Sequence, residues 1–222
     1  MDRVTISAYW GPRRESIAQC SQRLAHHFEA LAAASDNLAH WCHRGSRRGQ
    51  ANNPANVHSS ESLLAMLKSG ANRRDDNGSV ISELGFGVGL WNGEFGGWSA
   101  STDVKCGLYS MTKGLSNLAM LGIDFDLKPA LSPPEMVQLL KRFVEIWEPD
   151  SGKVWQSYWW PNAEAENAEF RERTYASFRA SYKQGDESDN LRATERGRFA
   201  DGLLWIDHTQ EPFFRQAFSS NT

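Results

Sequence analysis

Between positions 84 and 90 bulky apolar residues alternate with glycines without a break: Leu84, Phe86, Val88 and Leu90 stand against Gly85, Gly87 and Gly89. A helix would scatter such a set around its circumference, whereas a strand sends successive side chains to opposite faces. The segment is therefore predicted to be a strand with one heavy face and one nearly bare one. Asn92-Gly93 follows, the preferred pair for a tight reversal, with Glu94 to Gly97 able to lengthen the loop. Trp98, Ala100, Thr102 and Val104 then alternate along a return strand. Leu90 is expected to be buried in this hairpin.

Around it both periodicities recur. Val4, Ile6 and Ala8 alternate toward Trp10-Gly11-Pro12, a half-buried strand, and Ser16 to Ala34 carries Ile17, Cys20, Leu24, Phe28 and Leu31 at helical spacing. Leu38 to His43 reads as a short strand and the basic, polar run to Asn56 as a loop. A helix over Ser60 to Ser69 is stopped by Gly70, expected in the left-handed cap conformation. Asn117 to Ile123 adds a strand, and Ser132-Pro133-Pro134-Glu135 is a capping box with proline at the first helical position, opening a stripe of Met136, Leu139, Leu140, Phe143 and Trp147. Val154 to Trp160 reads as a strand, Glu164 to Tyr182 as a helix, Gly185 to Arg198 as a solvated connection and Leu203 to Ile206 as a last strand. Together these predict a single α+β domain over residues 1–222, with the first helix and the Ser132 helix covering one face of a mainly antiparallel sheet centred on the 84–104 hairpin.

The composition narrows the classes of function. With 222 residues, 40% hydrophobic, and a net charge of -3, the chain has material for one substantial core and no global attraction for nucleic acid or an anionic membrane. No stretch reaches the ~20 apolar residues of a transmembrane helix, and no signal-peptide pattern follows Met1. Cys20, Cys42 and Cys106 are odd in number and widely spaced, which suits reduced thiols in the cytoplasm.

Motifs that carry chemistry are sparse. The glycines of the 85–89 run lie inside a strand, where a dinucleotide fingerprint does not place them, so they are expected to permit close packing. His40, Cys42 and His43 cluster, but adjacent strand positions face opposite ways, and no HExxH is written. Asp124 and Asp126 share one side of an extended segment, an arrangement typical of a solvated strand end. Nine tryptophans are unusual: most are expected in packing, while one or two at a rim would suit a protein-binding surface. No catalytic constellation, cofactor or metal site is read from the residues.

Several segments in order resemble the Immunity protein 52 family of bacterial polymorphic toxin systems: Tyr9-Trp10-Gly11-Pro12-Arg13-Arg14-Glu15-Ser16 with Cys20 behind it, Trp41, Gly70 to Asn77, Glu83-Leu84-Gly85 into Leu90-Trp91-Asn92-Gly93, and Cys106-Gly107. The resemblance covers roughly the first 125 residues, and 156–198 stands out as a lineage-specific addition. It implies a non-enzymatic cytoplasmic protein that binds and inhibits a cognate toxin with a restriction-endonuclease-like nuclease domain, often a type VI secretion effector. No family-wide contact residues are implied. From the residues themselves, the toxin-binding surface is expected on the charged loop at Asp75 and Asp76 and the hairpin end bearing Trp91, Glu94 and Trp98, polar turn-rich segments that combine carboxylates with large rings. Two rivals remain: a carbohydrate-active or other hydrolase working on a Trp-rich sheet face with paired carboxylates, and an adaptor subunit of a secretion apparatus.

Overall fold

The alternation at the start of the chain resolves into β1 (Asp2–Trp10), whose Val4, Ile6, Ala8 and Trp10 are all buried. The structure is a computed structural model describing residues 2–43, 53–95, 98–125, 131–160, 169–180 and 203–207. Ser16 opens α1 (Ile17–Ala34): its hydroxyl accepts from the Gln19 N–H at 3.2 Å while the Gln19 side chain accepts from the Ser16 N–H at 2.8 Å, satisfying two amides reciprocally. Cys20, Leu24, Phe28 and Leu31 of the expected stripe are buried. Then come β2 (Trp41–His43), β3 (Asn53–Ala55), α2 (Ser60–Ser69), β4 (Phe86–Phe95), β5 (Trp98–Cys106), β6 (Asn117–Phe125), α3 (Pro133–Trp147), β7 (Ser151–Trp160), β8 (Glu169–Ala180) and β9 (Leu203–Asp207). The capping box at Ser132 and Glu135 forms, and all five stripe residues of α3 are buried.

The nine described strands make one antiparallel sheet in the order β3-β2-β4-β5-β6-β1-β7-β8-β9. Its register puts Ile6 opposite both Leu121 and Val154, and Leu121 opposite Thr102, so apolar positions of neighbouring strands share a face. The helices cover that face: α2 lies over β4, α3 over β1 and β7, and α1 between the other two. The core fills the space between these layers, as expected of an α+β fold. No described helix covers the opposite face, which carries Thr5, Ser7, Ser101 and Gly122 beside Tyr9, Trp91, Leu118 and Met120. There the Arg3 guanidinium is held by both carboxylate oxygens of Asp124 at 3.1 Å and lies where a Cβ on Gly122 would meet it at 2.1 Å.

Several sequence expectations are corrected. The sheet centres on β6 rather than on the hairpin. Leu84 belongs to a 3-10 turn at 82–84 and Gly85 turns the chain with φ 65, so the strand begins at Phe86. Asn92-Gly93 is a bulge inside β4 instead of the reversal: the register shifts between Trp91 and Glu94, Phe95 pairs with Trp98, and the buried Asn92 side chain accepts from the Ala100 N–H at 2.6 Å. Gly70 caps α2 at φ -85, outside the left-handed region; a glycine is needed because a Cβ there would lie 1.7 Å from the Gly87 carbonyl oxygen. Within the region read as a loop, 53–55 form β3. The stretch read as a helix over Glu164 to Tyr182 contains β8, which pairs with the open edge of β7. The connection expected over Gly185 to Arg198 lies outside the described residues.

Candidate functional site

Two sets of buried polar groups join the helices to each other and to the sheet. His27 of α1 is fully buried, wedged against Phe143 with ring centroids 4.6 Å apart. Its Nδ1 accepts from the Trp147 indole N–H at 3.3 Å, so its own proton sits on Nε2 and is donated to Thr102 Oγ1 at 3.0 Å; Thr102 in turn donates to the Met120 carbonyl at 2.9 Å. Desolvation pushes the imidazole pKa down to about 3, and the ring is neutral at physiological pH. Such a group ties α1, α3 and β5 together and presents nothing to a substrate.

The second set lies where the segment 11–16 crosses the C-terminal end of α3. Arg13 donates to the carbonyls of Trp147 at 2.8 Å and Glu148 at 3.3 Å, and Arg23 donates to that of Ile146. Glu15 pairs with Arg13 at 3.3 Å and Arg23 at 3.0 Å, and Arg23 also holds the Glu148 carboxylate at 2.9 Å. Two guanidiniums thus meet carbonyls that no intrahelical N–H reaches, at the negative pole of the helix dipole. Burial lowers the Arg13 pKa, yet a guanidinium retains its charge. Arg13 also lies over Trp10, which stacks on Trp147 at 5.3 Å. Nearby, hydrogen bonding with Cys20 and burial keep the Cys106 thiol well above its ordinary pKa and protonated. Among the described residues no group of three His, Cys, Asp or Glu side chains could hold a metal ion.

Surface features concentrate at the end of the sheet where β4 begins. After α2 the chain makes a narrow excursion: the Ile81 N–H donates to the Asn72 carbonyl at 2.8 Å, Arg73 bridges to Val80, and Gly78 turns at φ 69. The excursion is tied to the β5–β6 connection, because the Glu83 carbonyl accepts from the N–H groups of Tyr109 at 3.0 Å and Ser110 at 2.9 Å. Between the two loops opens a cleft of about 340 Å³ walled by Leu84, Phe86, Leu108, Leu115 and Leu118, with Lys105 also lining it. Val80, Met111 and Leu115, at 46%, 67% and 42% exposure, are the exposed large hydrophobics among the described residues, and all three belong to these loops. Single exposed apolar residues are ordinary, but here all three lie on the two loops that flank the cleft, and Leu115 lines it. A larger hollow of about 1050 Å³ follows the outer seam of α1 and α3, lined by glutamines and paired charges such as Arg142 and Glu145.

The residues expected to bind a partner divide between the two ends of β4. Asp75 and Asp76 sit at the tip of the excursion, where Asp76 is paired with Arg74 at 3.1 Å and Arg73 and Arg74 balance the two carboxylates. Trp91 is half-buried on the sheet face that no described helix covers, opposite Ser101. Glu94 and Trp98 flank the hairpin end, paired with Ser99 and Phe95; their side chains lie outside what the structure describes. The eight residue steps from Phe86 to Glu94 span roughly 25 Å. His40, Cys42 and His43 form no site, Asp124 is held by Arg3, and Asp126 is not among the described residues. Sequence reasoning missed Val80, Met111 and Leu115; the available signal was apolar residues inside polar stretches, Ser, Thr, Lys, Gly and Asn around Met111 and Leu115, and a charged turn before Val80.

Compared with known proteins, the chain matches one family model, described as Immunity protein 52, over residues 3–175, which takes in β1 through β7 and part of β8. No curated protein matches it.

Proposed function

This chain belongs to the Immunity protein 52 family, and from that premise we propose that it binds a toxin of its own cell and neutralises it by stoichiometric complex formation. The observation that carries the reading is the family match across 3–175, most of the helical layer and sheet. The target is a nuclease with a restriction-endonuclease-like domain delivered by a type VI secretion system, and the complex forms in the cytoplasm. Inhibition by complex formation requires no chemistry, so this reading makes the protein a binder rather than an enzyme, and the neutral, enclosed His27 suits a structural part. Asp75, Asp76, Trp91, Glu94 and Trp98 are the proposed contacts; a contact centred on one end of β4 reaches the other only at its rim.

Co-expression tests the reading. The cognate nuclease toxin is expected to kill when expressed alone and to be tolerated with this chain, and the two purified proteins are expected to form a complex that cleaves no DNA. Killing that persists at full expression of a folded chain would overturn the reading. So would substrate turnover by the purified chain that a single carboxylate substitution removes.

A further inference from the structure

We propose that the cleft between residues 70–86 and 107–118 seats an apolar side chain of the toxin that is flanked, on the toxin, by acidic residues. This rests on the immunity reading and goes further by choosing one end of the molecule and the chemistry of what docks there.

Three observations converge. The exposed large hydrophobics of the described chain, Val80, Met111 and Leu115, are confined to the two loops that wall the cleft. At about 340 Å³ the cleft has room for a leucine or phenylalanine side chain, and Leu84, Phe86, Leu108, Leu115 and Leu118 offer such a group apolar contact. Met111 and Leu115 stand on a turn braced by the Ser110 and Thr112 hydroxyls at 2.9 Å and by the Leu115 N–H to the Thr112 carbonyl at 3.3 Å. Methionine suits a contact that must mould itself to a partner.

The site is also built in advance. Besides the two bonds to the Glu83 carbonyl, the Asn72 amide donates to the Leu84 carbonyl at 3.2 Å, and the Gly87 N–H donates to the Gly70 carbonyl at 2.9 Å. Loops already fixed to each other and to the sheet lose little conformational entropy when a partner arrives.

Charge selects the partner. Lys105 lines the cleft, Arg73, Arg74 and Lys113 belong to its two loops and Arg14 lies over Tyr109; all are exposed, against the exposed carboxylates Asp75, Asp76 and Glu83. Asp76 is neutralised by Arg74, so the local balance is cationic although the whole chain carries -3. A surface of this kind attracts an apolar anchor set among carboxylates and repels one set among lysines. It does not act as an acidic decoy for a nucleic-acid-binding groove.

The test uses the toxin against which the chain protects in co-expression, purified in a nuclease-inactive form, with affinity and rates measured for the full-length chain. Met111→Asp combined with Leu115→Asp is expected to weaken binding on the order of 100-fold while the denaturation midpoint stays at the wild-type value, since both side chains are exposed. Met111→Ala, which only shortens an exposed chain, should repeat the loss at about tenfold. Lys105→Glu with Lys113→Glu should slow association about tenfold at low salt, the difference shrinking as salt is added. Ala33→Arg on the α1–α3 seam should bind within about threefold of wild type. A folded Asp double variant that binds as wild type does, or loss confined to Ala33→Arg, overturns the placement and leaves the immunity reading standing. Wild-type dimers that the Asp double variant splits, with toxin affinity unchanged, would make the surface a self-contact and likewise overturn it. A wild-type chain that neither binds nor protects overturns both.

Discussion

Acid should destabilise this protein through His27, and the size of the effect follows from its burial. An unfolded chain titrates histidine near 6.5. In the fold the ring is fully buried and its pKa lies at about 3. The folded value is the lower one, so between the two pKa values the unfolded state binds a proton that the folded state does not, and stability falls as pH falls. The contribution is whole above pH 6.5 and drains away below it. From pH 7 to pH 5 the difference in proton binding amounts to about 2 kcal/mol for this one group. To isolate this one group, the informative quantity is a double difference. Urea unfolding of wild type and His27→Gln at both pH values should show wild type losing about 2 kcal/mol more than the variant. Glutamine keeps a donor and an acceptor for Thr102 and Trp147 while removing the titration, and its own destabilisation cancels in the comparison. Equal losses in the two proteins would mean that the imidazole already carries its proton in the fold, contradicting both its burial and its acceptor role toward the Trp147 indole.

Three further substitutions test packing and capping by the same unfolding measurement. Leu90→Ala should cost ~2–5 kcal/mol, because this side chain is buried under α2 and its neighbours; an unchanged midpoint would show the site collapsing without penalty. Arg13→Ala should cost about 3–5 kcal/mol, since it uncaps α3 and removes one partner of the buried Glu15, whereas the exposed neighbour Arg14→Ala should stay within ~0.5 kcal/mol; similar effects from both would refute the clamp. Gly70→Ala should destabilise by more than about 2 kcal/mol because its methyl group would meet the Gly87 backbone, while Gly78→Ala, in open space but at φ 69, should cost only about 1 kcal/mol; the reverse order would show that backbone strain outweighs the clash.

Much of the fold was legible because each element carried its own period and punctuation. Ser132 and Glu135 wrote the start of α3 in four residues, and the glycine alternation wrote most of β4. What stayed hidden was set by partners far away in the chain. β8 pairs Val154 with Ala176 but Trp155 with Thr174, so a bulge at Tyr175 interrupts the two-residue rhythm. The aromatic spacing of Phe170, Phe178 and Tyr182 then suggests a helix that the edge of β7 overrides. Gly70 shows the same limit: the sequence announces a helix stop, and only the arrival of Gly87 explains why glycine is required. The family resemblance was visible in the segment from Tyr9 to Ser16, whose Arg13 and Glu15 clamp α3. The surface was harder. Asp75 and Asp76 marked the excursion as exposed by their charge, but Met111 and Leu115 lie more than thirty residues further on, on a loop tied to it through the Glu83 carbonyl and the Ser82 and Tyr109 hydroxyls.

The position of β1 also sets a clock. It is the first described strand to leave the ribosome, yet its pairing partners are β6 and β7, and Arg3 waits for Asp124, 121 residues behind it. At ordinary rates of elongation that separation is roughly 6–24 s of synthesis, during which the strand that will sit inside the sheet has unpaired edges on both sides. Contacts of such long sequence separation also close slowly. A nascent chain therefore gives no protection until β7 has emerged and the sheet has zipped around its first strand. A cell making this protein together with its toxin is safest when synthesis of the protector runs ahead.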